Sequence, residues 1–65
     1  MKFVVAYVNS QNNEILFHAI QYWMPKIGEK LTINDYNFVV TDITYHFSKG
    51  ESTSVSVTIK LEIIF

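Results

Sequence analysis

The chain has 65 residues, five lysines, no arginine, no cysteine and a net charge of −1, with 49% apolar and 15% aromatic residues. That length allows one domain at most, and a chain of this size buries only about 60% of its unfolded surface. Disulfides and thiolate metal sites are excluded, the apolar content is too high for a disordered chain, and no basic stripe exists for DNA or structured RNA.

Lys2 to Val8 is β-branched and aromatic, hence strand-prone. Phe3, Val5 and Tyr7 share one face and Val4, Ala6 and Val8 the other, so both faces are apolar and a central strand is expected. The run is too short for a membrane span, and polar Asn9 to Asn13 follows in place of a small-residue cleavage site. No secretion signal and no membrane contact are therefore expected, and with no cysteine the cytoplasm is the expected compartment. Asn9 to Asn13 reads as a turn, because asparagine tolerates positive φ and bonds its own backbone.

Glu14 to Met24 supports two readings. As a strand, Ile15, Phe17, Ala19 and Trp23 line one face and Leu16, His18, Ile20 and Tyr22 the other. As a helix over roughly 13 to 24, Ile15, Leu16, Ala19, Ile20 and Trp23 form one stripe, with Asn12 or Asn13 as the cap and Pro25 as the stop. Aromatic and β-branched content favours the strand. Pro25 to Glu29 is a break, since proline cannot donate to a ladder and Gly28 can take a backbone conformation closed to other residues. Lys30 to Ile33 is a short strand, and Asn34-Asp35 a two-residue hairpin turn.

Tyr36 to Ser48 changes phase: Tyr36, Phe38 and Val40 share one parity, whereas Ile43, Tyr45 and Phe47 have the other. A bulge or sharp bend near Thr41-Asp42 would put both sets on one face and curl the sheet. Lys49 to Ser52 is the next turn. Ser54 to Phe65 carries the clearest alternation, Val55, Val57, Ile59, Leu61 and Ile63 against Ser54, Ser56, Thr58, Lys60 and Glu62. Twelve strand residues would reach roughly 40 Å, long for so small a domain. Ile63, Ile64 and Phe65 put apolar groups on both faces, so they are expected in self-association, with Ile64 covered by the first strand or by another copy. The expected fold is all-β, a five-stranded antiparallel curled sheet or small barrel over residues 1-65.

The run Pro25-Lys26-Ile27-Gly28-Glu29-Lys30-Leu31, then Tyr36, Val39 and Ile43, then the alternating last strand, resembles short bacterial and phage proteins. Their pattern is P-x-[IV]-G-[DE]-x-[VIL], a few residues, Y-x-V-x-x-V and a final strand. The resemblance spans residues 22 to 63 and implies a small Src-homology-3-like barrel and a compact accessory or mobile-element protein. It carries no catalytic residues to transfer. Here Asn37 and Phe38 separate Tyr36 from Val39, one residue more than in that pattern.

Among candidate sites, Tyr22-Trp23-Met24-Pro25 carries most, because Tyr and Trp beside a loop offer large rigid contact area. Tyr22 is expected in solvent, and Trp23 is expected to plug one end of the core. Tyr7, Tyr22, Tyr36 and Tyr45 could instead stack on a single-stranded nucleic acid, but the lysines are scattered and offset by six acids. His18 and His46 with Asp42 or Glu14 lack metal-ligand spacing. Ser48, Ser52, Ser54 and Ser56 sit in a turn and on a wet strand face, with no nucleophile elbow and no phosphate loop. The expectation is a non-catalytic protein-interaction module that forms homo-oligomers, needs no cofactor or metal, and has a protein partner rather than a nucleic acid.

Overall fold

The computed structural model describes residues 2–47, 50 and 54–65. Five strands form one sheet: β1 (Lys2–Asn9), β2 (Ile15–Gln21), β3 (Lys30–Ile33), β4 (Tyr36–His46) and β5 (Ser54–Ile64), in the order β2-β1-β5-β4-β3. The sheet curls into a half-barrel, and no helix occurs among the described residues. The helical reading of residues 13 to 24 is thereby corrected. The segment is strand from Ile15 through Gln21, because its backbone pairs along β1 and its aromatic and β-branched residues suit that ladder, with Leu16, Ala19 and Gln21 turned toward the core.

Three of the four pairings are antiparallel, as expected, and β1–β5 is parallel. The cause is arithmetic. Each link reverses the chain, so odd-numbered strands run the same way, and β1 and β5 become parallel once they are neighbours. They are neighbours because β5 has the longest apolar face and needs a strand on each side. An all-antiparallel meander would leave it at an edge, half covered.

The concave face holds the core. Val5, Val40, Val57, Ile59 and Leu61 are fully enclosed, joined by Tyr7, Phe38 and Val55. In β5 every odd position from Val55 to Leu61 is buried, which is the alternation read from the sequence. The phase change in β4 is a bulge: the register shifts between Val40 and Asp42, leaving Thr41 as the extra residue. Its Oγ1 donates to the Lys60 carbonyl at 3.2 Å. The bulge brings Ile43 and Tyr45 onto the face already occupied by Phe38 and Val40, opposite Ile59 and Val57.

A second bulge lies in β2. Tyr7 pairs with Phe17 and Val8 with Ile15, so Leu16 is skipped. Leu16 packs against the core, and Ile15 is left exposed across from Val8. Strict parity over Ile15 to Ile20 therefore fails at this point. Together the two bulges bend the sheet.

The turns follow their chemistry. Asn34 (φ 50°) and Asp35 (φ 68°) form the β3–β4 hairpin with both central residues left-handed, the type I′ geometry that suits strand twist. Lys26 to Glu29 is a type II turn closed by Glu29 N–H donating to the Lys26 carbonyl at 3.0 Å, with Gly28 at φ 91°. The β1–β2 loop uses asparagine throughout: Asn9 Oδ1 accepts from Gln11 N–H, Asn12 Oδ1 from Glu14 N–H, and Asn13 takes φ 59°. The expected turn at Lys49 to Ser52 lies outside the described residues, Gly50 excepted.

Candidate functional site: an aromatic rim and its anchored strap

β2 and β3 occupy opposite edges of the sheet, so the chain between them must cross. Residues 22 to 29 do so as a strap over the concave side. Met24 packs on the core and Pro25 is buried, while the far end joins β4 through Gly28 N–H to the Val40 carbonyl and Val40 N–H to the Glu29 carbonyl.

Gln21 pins the near end of the strap. It is the one buried polar residue among the described residues. The Tyr7 hydroxyl donates to Gln21 Oε1 at 2.9 Å, and Gln21 Nε2 donates to the Trp23 carbonyl at 2.8 Å. A buried amide must satisfy both ends, and here one end holds a core tyrosine and the other the strap backbone. Burial raises the Tyr7 pKa above its ordinary value, and the negative charge of Glu29 adds to the rise. Tyr7 also stacks on Phe17, with ring centroids 4.6 Å apart and planes 13° apart.

With its backbone held, the strap turns two rings outward. Tyr22 is 73% exposed, as expected, and Trp23 is 60% exposed. The expectation that Trp23 plugs the core is corrected. Met24 and Pro25 fill that place, because the chain bends away from strand geometry after Gln21 and parity no longer assigns faces.

Register places three further rings at this end of the sheet. Phe3 lies between Gln21 and Val55, and Tyr45 is opposite Val57. Phe3 meets Tyr45 edge-on at 6.2 Å, and Tyr45 stacks with Phe47 at 6.3 Å. Phe47 is 77% exposed. Phe3, Tyr45 and Phe47 make one row of ring contacts, and Tyr22 and Trp23 follow Gln21 at the same end of the sheet; these five rings are termed the aromatic rim. The sequence reading located the strap pair and missed Phe3 and Phe47 as members. The usable signal was the phase change in β4, which sends Tyr45 and Phe47 to the concave face.

The remaining candidates are dispersed. Ile63 packs on the core, Ile64 is 37% exposed and Phe65 is fully exposed. β1 ends opposite Leu61 and does not reach Ile64, which pairs with Asn37 instead. Tyr36 is exposed at the far end of β4 from Tyr45, and Tyr7 is buried. His18 lies on β2 and His46 on β4, at separate places in the sheet, with His46 Nε2 at 3.0 Å from Thr58 Oγ1. Among the described residues no three His, Asp or Glu side chains gather to hold a metal ion, and no helix is long and apolar enough to cross a membrane. Neither family models, curated proteins nor solved structures offer a match to this chain.

Proposed function

We propose that the chain is a non-catalytic protein-interaction module of the accessory type, which grips a partner segment with its aromatic rim and also self-associates. The observation that carries this reading is Trp23 held out of the core: a large indole is kept in solvent by a backbone clamp that Gln21 and Tyr7 build from buried groups. Fixing the backbone beneath them lowers the ordering cost of binding, and aromatic side chains have few rotatable bonds to freeze. The resemblance to small bacterial and phage barrels supports the same accessory role, and the cysteine-free composition suits the cytoplasm as its setting.

Trp23 is the sole tryptophan, so its emission reports on the site directly. Peptides selected on the protein from a displayed library should shift that emission. They should lose at least tenfold in affinity to Tyr22→Ala and to Phe47→Ala, with far-ultraviolet dichroism unchanged. Selected peptides that bind the double variant Tyr22→Ala/Trp23→Ala as tightly as the native chain would refute the rim.

The exposure of Tyr22, Tyr36 and Tyr45 favours a second reading, stacking on single-stranded nucleic acid. Tyr36 and Tyr45 stand at opposite ends of an 11-residue strand, which leaves no continuous track. Quenching of tyrosine and tryptophan emission by short oligonucleotides at low salt is the result that would promote it.

A further inference from the structure

The two edges of the half-barrel differ in kind. β3 is four residues long and begins with Lys30, between Glu29 and Asp35, which is the usual protection of an exposed edge. β2 is seven residues long, contains no Lys, Asp, Glu or Pro, and its outer side is unpaired among the described residues. Ile15 and Ile20 stand exposed along it, and Val4 is exposed behind Ile20 in the adjacent strand. Val4, His18, Ala19 and Ile20 line one shallow, mostly apolar depression beside the edge. A free row of backbone donors and acceptors next to apolar side chains calls for another strand.

We propose that this strand is β2 of a second copy, paired antiparallel about a two-fold axis at His18, so that two half-barrels share one ten-stranded sheet. The inference rests on the self-association in the reading above and assigns it a surface. Antiparallel pairing of a strand with its own copy sets one residue opposite itself. A two-fold at His18, the midpoint of Ile15–Gln21, overlaps the whole strand: Phe17 to Ala19 pair directly, and the Leu16 bulge shifts the register beyond them. Phe17 then faces Ala19 on the concave side. The bulge that turns Leu16 inward leaves Ile15 outward, near Ile20 of the other copy across the seam. The strand has no Lys, Arg, Asp or Glu, so none of these opposes its like across the seam, and the one self-opposed polar side chain is His18. A seam about 24 Å long, with a band roughly 10 Å deep covered on each face, removes about 500 Å² per copy. The total of about 1,000 Å² reaches the size of a specific, weak interface.

The native chain, His18→Lys, Ile20→Lys and Ile64→Lys are compared by sedimentation equilibrium, and His18→Cys and Thr32→Cys by mild oxidation. The native chain should approach twice its 7.6 kDa mass as concentration rises. Both β2 lysine variants should stay at the single-chain mass with native dichroism, and Ile64→Lys should still associate. The chain has no other thiol, and directly opposed strand residues lie about 4.5–5.5 Å apart at Cα, within disulfide reach. His18→Cys should therefore become a disulfide-linked dimer, while Thr32→Cys on the β3 edge stays unlinked. This cross-link decides the matter if a lysine variant fails to fold. A dimer that survives both β2 lysines, fails to cross-link at position 18 and falls to Ile64→Lys overturns the edge and leaves self-association standing. A native chain at single-chain mass throughout overturns both.

Discussion

Gln21 shows how one residue ties core to site. Its amide oxygen satisfies Tyr7 and its amide nitrogen holds the Trp23 carbonyl, so packing and presentation share one side chain. Gln21→Leu keeps the volume but strands a buried phenol, at a cost of about 1–3 kcal/mol. Chemical denaturation should show that loss, and Trp23 emission should broaden as the strap loosens. The sequence marked Tyr22 and Trp23 by type alone. It could not reveal the clamp, because a glutamine at a strand end reads as an ordinary polar residue until its two partners are in place.

Tyr7 adds a pH dependence with a definite sign. Its folded pKa is raised, above all by burial, so the folded state holds the phenol proton more tightly than the unfolded chain. The associated stability is intact below the ordinary phenol value of 10.0 and is lost as pH climbs from there through the folded value. Urea midpoints of the native chain should fall in that alkaline window more steeply than those of Tyr7→Phe. Identical alkaline slopes would place the Tyr7 hydroxyl in solvent.

Among the elements, turns and bulges carry as much information as strands. Gly28 sits at φ 91°, and a methyl group added there would have nothing within 4 Å of it, so Gly28→Ala meets only backbone strain. The expected cost is about 1 kcal/mol, or roughly 4–8 °C in Tm for a domain of this size. Asp35 is the opposite case: it is left-handed without being glycine, and Asp35→Gly should raise Tm slightly, by about 0.5 kcal/mol of stability, since Asn-Gly suits a type I′ turn. Both variants are read by thermal unfolding. Most of this layer was legible in advance: the Asn34-Asp35 hairpin, the glycine turn, the Thr41 bulge and the alternation of β5. The β2 bulge was not, because Ile15 and Leu16 are both apolar and give no phase signal. Nor was the parallel β1–β5 pairing, since periodicity reports which face a residue takes and not which strand lies beside it.

The whole molecule is open and long. Its extents are 42 × 21 × 19 Å and its radius of gyration is 12.1 Å, against about 10.7 Å for a compact 65-residue domain. The length of β5 accounts for the long axis, as its alternation implied. A sheet curled only halfway keeps two edges; charge and shortness protect β3, and β2 has neither. The same openness sets the rim of rings at one end and the bare edge along one side, and the two meet at Gln21.

Sedimentation equilibrium of the native chain over a wide concentration range bears most directly on this picture. The mass should rise from 7.6 kDa toward twice that value in the native chain and stay at 7.6 kDa at every concentration in His18→Lys. A native chain that stays at 7.6 kDa at the highest concentration attainable would contradict it.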